Sequence, residues 1–112
     1  MNPLQYVKNP NLLVEVISSA LEVVKEDIQT GYIFGSVSKG NFLIDSDVDI
    51  FIISDKDIYK QIRHILDETL VDQGIGYDLI FMTCKEFESQ KDLPILKEVV
   101  GGLKLWETEK TE

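Results

Sequence analysis

The chain is short and acidic, and both properties limit the functions it can have. It has 112 residues, of which 44% are hydrophobic and three are proline, and this suits one compact domain with a modest core. The formal net charge of −9 argues against a nucleic-acid-binding protein, because such proteins neutralise phosphates with clustered Lys and Arg. We therefore expect a protein or small-molecule partner and no direct contact with nucleic acid.

Cysteine content and hydropathy indicate where the protein acts. A single cysteine, Cys84, rules out an internal disulfide and fits a reducing compartment. No apolar stretch approaches about 18 residues, and the N-terminus lacks the basic and apolar regions of a secretion signal. We expect a cytoplasmic protein that does not contact a membrane.

The first predicted elements are an amphipathic helix and a short strand. Apolar residues keep helical spacing over residues 12–28, and Asn9 and Pro10 are well placed as the cap and the first-turn residue. Gly31 is expected to stop this helix. Residues 32–34 then form a strand that leads into a Gly-Ser turn.

The central predicted strand follows a polar loop. Residues 48–53 are almost continuously apolar, which is typical of a strand buried on both faces. Ser54 or Asp55 is expected to cap the next helix, whose apolar stripe covers residues 58–70 and ends before Gly74.

The last third of the chain alternates between strands and helices. Residues 75–83 predict a third strand, and Thr83 with Glu86 has the form of a capping box that opens a short helix. Pro94 opens a final helix that ends at a Gly-Gly pair, and residues 103–106 predict a small terminal strand.

This alternation predicts a single α/β domain. We expect one domain over residues 1–106, with a short mixed sheet flanked by helices, and a frayed C-terminal tail over residues 107–112.

The most informative segment lies between the first two strands, where a Gly-Ser turn precedes two aspartates one residue apart. Residues two apart on a strand face the same side about 6 to 7 Å apart, so Asp47 and Asp49 can share hard cations. Paired cations of this kind serve phosphoryl transfer. Gly35 and Ser36 would offer backbone N–H groups and a hydroxyl to a phosphate chain.

The order of these elements resembles the signature of the DNA polymerase beta-like nucleotidyltransferase superfamily. The shared pattern is apolar-Gly-Ser, ten residues, and Asp-apolar-Asp-apolar, with a third aspartate, Asp78, in a later apolar run. In length and layout the chain is most similar to the minimal nucleotidyltransferase (MNT) branch, and the resemblance covers most of the chain.

The resemblance implies roles for the site residues. Asp47 and Asp49 would bridge two magnesium ions, and Asp78 would bind the metal nearer the acceptor and help its hydroxyl lose a proton. Gly35 and Ser36 would hold the pyrophosphate end of ATP or another nucleoside triphosphate.

Several residues have competing interpretations. Lys39 could contact a phosphate or remain solvated, and this loop lacks the arginines that many minimal nucleotidyltransferases carry, which puts nucleotide affinity or transfer rate in doubt. Asp45, Asp55 and Asp57 compete with Asp78 as the third ligand; we interpret Asp45 as a loop residue and the other two as helix-start residues. His64 is interpreted as a helix-surface residue, and no tyrosine is assigned a role.

The resemblance also implies a function. Relatives of this size often act as antitoxins that adenylylate a HEPN-domain toxin, so we expect transfer of AMP from ATP to a hydroxyl of such a partner. The alternative is a catalytically weak antitoxin subunit that covers its HEPN partner, and a weaker one is modification of a small hydroxylated compound. The acceptor, the preferred base and any homo-oligomer stay open.

Overall fold

The computed structural model describes residues 9–35 and 47–106, which form a mixed sheet with helices on both faces. The strands of this part of the chain are β1 (Thr30–Phe34), β2 (Val48–Ile53), β3 (Tyr77–Met82) and β4 (Leu103–Lys104). They lie in the order β3-β2-β1-β4, with β2 parallel to β3 and the other two pairs antiparallel. The predicted α/β fold with a short mixed sheet is therefore confirmed.

Four α-helices of the described residues connect and cover these strands. They are α1 (Pro10–Ala20), α2 (Tyr59–Thr69), α3 (Cys84–Gln90) and α4 (Pro94–Val100). Within the described ranges, no helix combines the length and the apolar character needed to cross a membrane. The predicted tail over residues 107–112 and the first eight residues of the predicted domain lie outside the described part of the chain.

Helix α1 begins as the sequence predicts and ends earlier. The Asn9 side chain accepts hydrogen bonds from the backbone N–H groups of Asn11 and Leu12, at 3.1 and 3.2 Å, so it caps the helix. The α-helix ends at Ala20, and the chain continues as a 3-10 helix over Leu21–Asp27. The prediction of one helix to residue 28 was wrong because three-residue spacing also keeps the apolar residues of this segment on the core side.

The predicted helix stop and the predicted cap of α2 were also wrong. Gly31 lies inside β1, where its backbone pairs with Ile52. Helix α2 has Ile58 at its N-cap position with no side-chain cap, and the Asp55 side chain instead accepts a hydrogen bond of 2.9 Å from the backbone N–H of Cys84. Asp55 thus supports the start of α3 from the neighbouring end of β2, and the predicted Thr83 capping box is confirmed at that start.

Strand β2 is central and is buried on both faces, as the sequence predicts. One face of the sheet packs against α1, the 3-10 helix and α2, and the other packs against α3 and α4. Alternation along the strand divides its apolar residues between the two cores. Val48, Ile50 and Ile52 belong to the first core, and Phe51 and Ile53 belong to the second.

The end of the chain returns from α4 to β1 through two glycines. Strand β4 pairs with Tyr32 and Ile33 of β1. A β-carbon at Gly102 would collide with the backbone oxygen of Ile33 and would lie 3.1 Å from the Cα of Phe34. At Gly101 the nearest such contact is 3.5 Å, which is ordinary van der Waals distance. Only the second glycine is required by close packing.

These neighbouring glycines provide a matched test of the fold. We expect Gly102→Ala to lower the free energy of unfolding by roughly 1–3 kcal/mol, because the new methyl group meets backbone that cannot rotate away. Gly101→Ala should change it by less than about 0.5 kcal/mol. Urea unfolding of both variants measures the difference, and equal effects would contradict the close approach of Gly102 to the backbone of β1.

Candidate active site

Two predicted site aspartates lie side by side on neighbouring strands. Asp49 of β2 pairs in register with Asp78 of β3, and on its other side with Phe34 of β1. Register partners in a parallel pair present their side chains to the same face, so both carboxylates lie on the face that α3 and α4 cover. Asp49 is half-buried, whereas Asp78 is exposed.

The third predicted aspartate, Asp47, lies one residue before β2 begins. The backbone N–H of Val48 donates a hydrogen bond of 3.0 Å to the oxygen of Gly76, which holds the start of β2 against the start of β3. Asp47 is exposed at this point. The three aspartates therefore belong to one end of the sheet, where β2 and β3 begin and β1 ends.

Two glycines leave room for two of these carboxylates. A β-carbon on Gly35 would collide with Asp49 Oδ2 and lie 3.3 Å from its Cγ. A β-carbon on Gly76 would collide in the same way with Asp47 Oδ1. Gly35 also has a φ of +80°, a conformation that side chains disfavour. Each carboxylate thus rests against a residue without a side chain.

The electrostatics of this end of the sheet centre on Asp49. Burial raises the pKa of its carboxyl above the ordinary value of 3.8, because the half-buried charge loses hydration. Neighbouring negative charges raise the pKa further, in the order Asp78, Asp47 and Glu98. The group that loses most hydration is therefore also the one that like charges surround.

Glu98 is the acid that the sequence analysis missed. It lies in α4, one residue before the buried Val99, and its charge reaches Asp49 across the face of the sheet. No local pattern marks this residue, since it reads as an ordinary surface position of a short helix. Only the return of α4 onto β1 places it near the aspartates.

The donor set fits a hard divalent cation that also binds a substrate. Asp47, Asp49 and Asp78 supply carboxylate oxygens, which such cations prefer. Within residues 9–35 and 47–106, no three acidic, His or Cys side chains converge closely enough to hold a metal by themselves. Magnesium is commonly bound by one or two carboxylates together with substrate phosphates and water. A site whose protein ligands are too few to hold the ion alone therefore fits magnesium bound with its substrate.

Other predicted site residues lie elsewhere or outside the described chain. Ser36 and Lys39, predicted to hold phosphates, and the competing loop residue Asp45 lie outside the described residues. Asp55 and Asp57 follow the far end of β2, so neither belongs with Asp47 and Asp49.

The remaining candidates have structural surroundings. His64 is exposed on α2 and lies 3.4 Å from Glu68, which agrees with a helix-surface residue. The Tyr77 hydroxyl donates a hydrogen bond of 2.7 Å to Asp67 Oδ1, and the Arg63 guanidinium stacks on its ring. Burial and the bond to Asp67 raise the pKa of Tyr77 to about 12, so this tyrosine is a packing residue.

Comparison with known proteins agrees with this fold. The family model described as "Nucleotidyltransferase domain" matches residues 17–101. The chain belongs to this family, and the predicted nucleotidyltransferase class of enzyme is confirmed. No curated protein sequence matches the chain significantly.

Two solved structures have the same fold at low sequence identity. One is a mutant of the toxin–antitoxin pair MntA–HpeT with two Asp-to-Glu substitutions, at 20% identity and a TM-score of 0.60. The other is a toxin–antitoxin with AMP-PNP, at 21% identity and a TM-score of 0.59. Each match covers 86% of this chain and 74% of the other.

The raised pKa of Asp49 predicts a pH-dependent stability. The folded protein binds this proton more tightly than the unfolded chain does, so ionised Asp49 destabilises the fold, and stability falls as the pH rises through the folded-state pKa. We expect Asp49→Asn to increase the free energy of unfolding at pH 7 in metal-free buffer. This gain should shrink as the pH falls towards 3.8, where wild-type Asp49 is itself protonated.

Urea unfolding at successive pH values measures this effect. Asp57→Asn is the matched control, because it removes the same charge from an exposed position at the other end of β2. A gain that is equal in both variants, or that does not depend on pH, would contradict the crowding of charge around Asp49.

Proposed function

We propose that this protein is a magnesium-dependent minimal nucleotidyltransferase that transfers AMP from ATP to a hydroxyl of a protein partner. The observation that carries this proposal is the in-register pairing of Asp49 with Asp78, with Asp47 at the same end of the sheet. Nucleotidyl transfer of this kind uses metal ions at the reacting phosphate, and carboxylates are needed to bind those ions. The fold shared with a toxin–antitoxin carrying AMP-PNP supports ATP as the donor.

Asp47, Asp49 and Asp78 would hold the magnesium ions, of which the family resemblance implies two. When bound, the ions neutralise phosphate charge and stabilise the attacking and leaving oxygens of an in-line displacement. The backbone of Gly35 is proposed to contact the phosphate chain, as the family resemblance implies. Ser36 and Lys39 follow it in sequence and are proposed as further phosphate contacts.

The reaction would consist of one displacement at the α-phosphorus. The acceptor oxygen forms a bond to that phosphorus, the bond to the bridging oxygen breaks, and pyrophosphate leaves. Asp78 is exposed, whereas Asp49 is half-buried, so Asp78 is the better placed to take the acceptor's proton and pass it to water. The chain then needs no covalent intermediate of its own.

The partner we propose is a toxin with a HEPN domain. The fold shared with the toxin–antitoxin pair MntA–HpeT supports a toxin partner. The family resemblance implies that this toxin has a HEPN domain. The net charge of −9 would favour encounter with a basic protein surface. A steric antitoxin that covers the same partner without modifying it is the competing function.

Metal and nucleotide together should stabilise the fold. A ligand that binds only the folded protein stabilises it, so magnesium with ATP at about 100 times its dissociation constant should add about 2.7 kcal/mol and raise Tm. Asp47→Asn combined with Asp49→Asn should remove this increase while the variant still unfolds cooperatively. Asp57→Asn should keep it. Equal increases in wild type and the double variant would contradict a metal site at these aspartates.

Transfer of label separates the enzyme from the steric antitoxin. The family resemblance implies that the partner is encoded beside this protein, so the protein is mixed with the product of the neighbouring reading frame, magnesium and ATP labelled in the α-phosphate. We expect label that resists denaturation on the partner, on a tyrosine or serine hydroxyl. Asp47→Asn and Asp78→Asn should each abolish labelling and keep partner binding, because these carboxylates serve the chemistry.

The same experiment has a result that would overturn the proposal. If the wild type binds and silences its partner with no label transferred from any of the four triphosphates, the steric function replaces the enzymatic one.

A further inference from the structure

Gly76 lies at the point where the second and third strands start together. Its oxygen accepts the hydrogen bond from Val48, and Tyr77 and Asp78 follow it directly in β3. The residue is exposed, and its φ is not positive, unlike the φ of Gly35 and Gly74. Its backbone conformation therefore permits any residue, and another reason must account for glycine.

That reason is the Asp47 carboxylate. The three atoms nearest to a β-carbon built on Gly76 all belong to Asp47: Oδ1 in collision, Cγ at 3.3 Å and Oδ2 at 3.9 Å. The first group that a methyl would displace is thus the end of an exposed, rotatable side chain. Because that side chain can turn into solvent, the fold should tolerate the change while the carboxylate moves.

We propose that Gly76 is a positioning residue, whose missing side chain lets the Asp47 carboxylate lie over the start of β3 and so beside Asp78. This inference rests on the proposed function in one respect, since it takes Asp47 as a ligand of the divalent cation. The proposal adds Gly76 to the residues that shape the candidate site, although Gly76 belongs to neither the Gly-Ser nor the Asp-x-Asp pattern. Gly76 would act only through Asp47 and would touch neither metal nor nucleotide.

Binding of Mn²⁺ alone, followed by electron paramagnetic resonance, tests the proposal without relying on activity. We expect Gly76→Ala to weaken Mn²⁺ binding by about tenfold or more, as changes to residues that orient a metal ligand commonly do. The metal-free Tm should not fall. Gly101→Ala is the matched control, because its methyl meets only ordinary contacts, and it should bind Mn²⁺ as the wild type does.

A double-mutant cycle shows whether the effect passes through Asp47. In an Asp47→Ala background, Gly76→Ala should cause no further loss of Mn²⁺ binding, since the displaced carboxylate is already absent. An equal loss in both backgrounds would overturn the proposal, and so would wild-type Mn²⁺ binding by Gly76→Ala. A fall in metal-free Tm of the same size in both backgrounds would also overturn it, because Gly76 would then be a structural residue.

The outcomes distinguish this inference from the proposed function. If Asp47→Ala and Gly76→Ala both weaken Mn²⁺ binding but the wild type transfers no label, the transferase proposal fails and the positioning role stands. If the wild type transfers label and Gly76→Ala binds Mn²⁺ normally, the positioning role fails and the transferase stands.

Discussion

The parallel register of β2 against β3 is the constraint on which the candidate site depends. It sets Asp49 opposite Asp78 on one face and Ile50 opposite Leu79 on the other. A slip of one residue would move each side chain of the slipped strand to the opposite face, burying a carboxylate and exposing an apolar side chain. The hydrophobic core therefore selects the same pairing that brings the two carboxylates together. Folding and assembly of the site are one process in this domain.

This arrangement has an electrostatic cost that the rest of the fold offsets. Carboxylates at one end of the sheet repel one another, and the raised pKa of Asp49 reports that repulsion together with lost hydration. Beyond Asp49, β2 is apolar and buried on both faces, so it can hold a carboxylate in an unfavourable position. A cation that removes the repulsion would bind more tightly for that reason, because part of its binding energy is relief of a cost already present in the free protein.

Sequence reasoning succeeded where a local pattern and the tertiary contacts agree. The apolar run over residues 48–53 formed the buried central strand, and the capping box at Thr83 formed as its spacing indicates. Reasoning failed where a residue serves a partner far away in sequence. Asp55 looks like a cap for the helix that follows it, yet it bonds to the backbone of Cys84, 29 residues later. Glu98 has no sequence signal at all, because its proximity to Asp49 follows from the path of α4.

Two separate physical reasons can require glycine at a site position: a backbone conformation with positive φ, and the space that a neighbouring carboxylate fills. The Gly-Ser pair suggests a phosphate-binding turn, and Gly35 suits such a turn through its positive φ. The same residue also leaves space for the Asp49 carboxylate, so a side chain there would strain the backbone and displace a site residue at once. At Gly76 the backbone φ is not positive, and the three atoms nearest to the position of a β-carbon all belong to Asp47, so only the second reason applies there. Absent side chains therefore leave space for a carboxylate both after the end of β1 and before the start of β3, and the second position lies outside the turn that would bind phosphate.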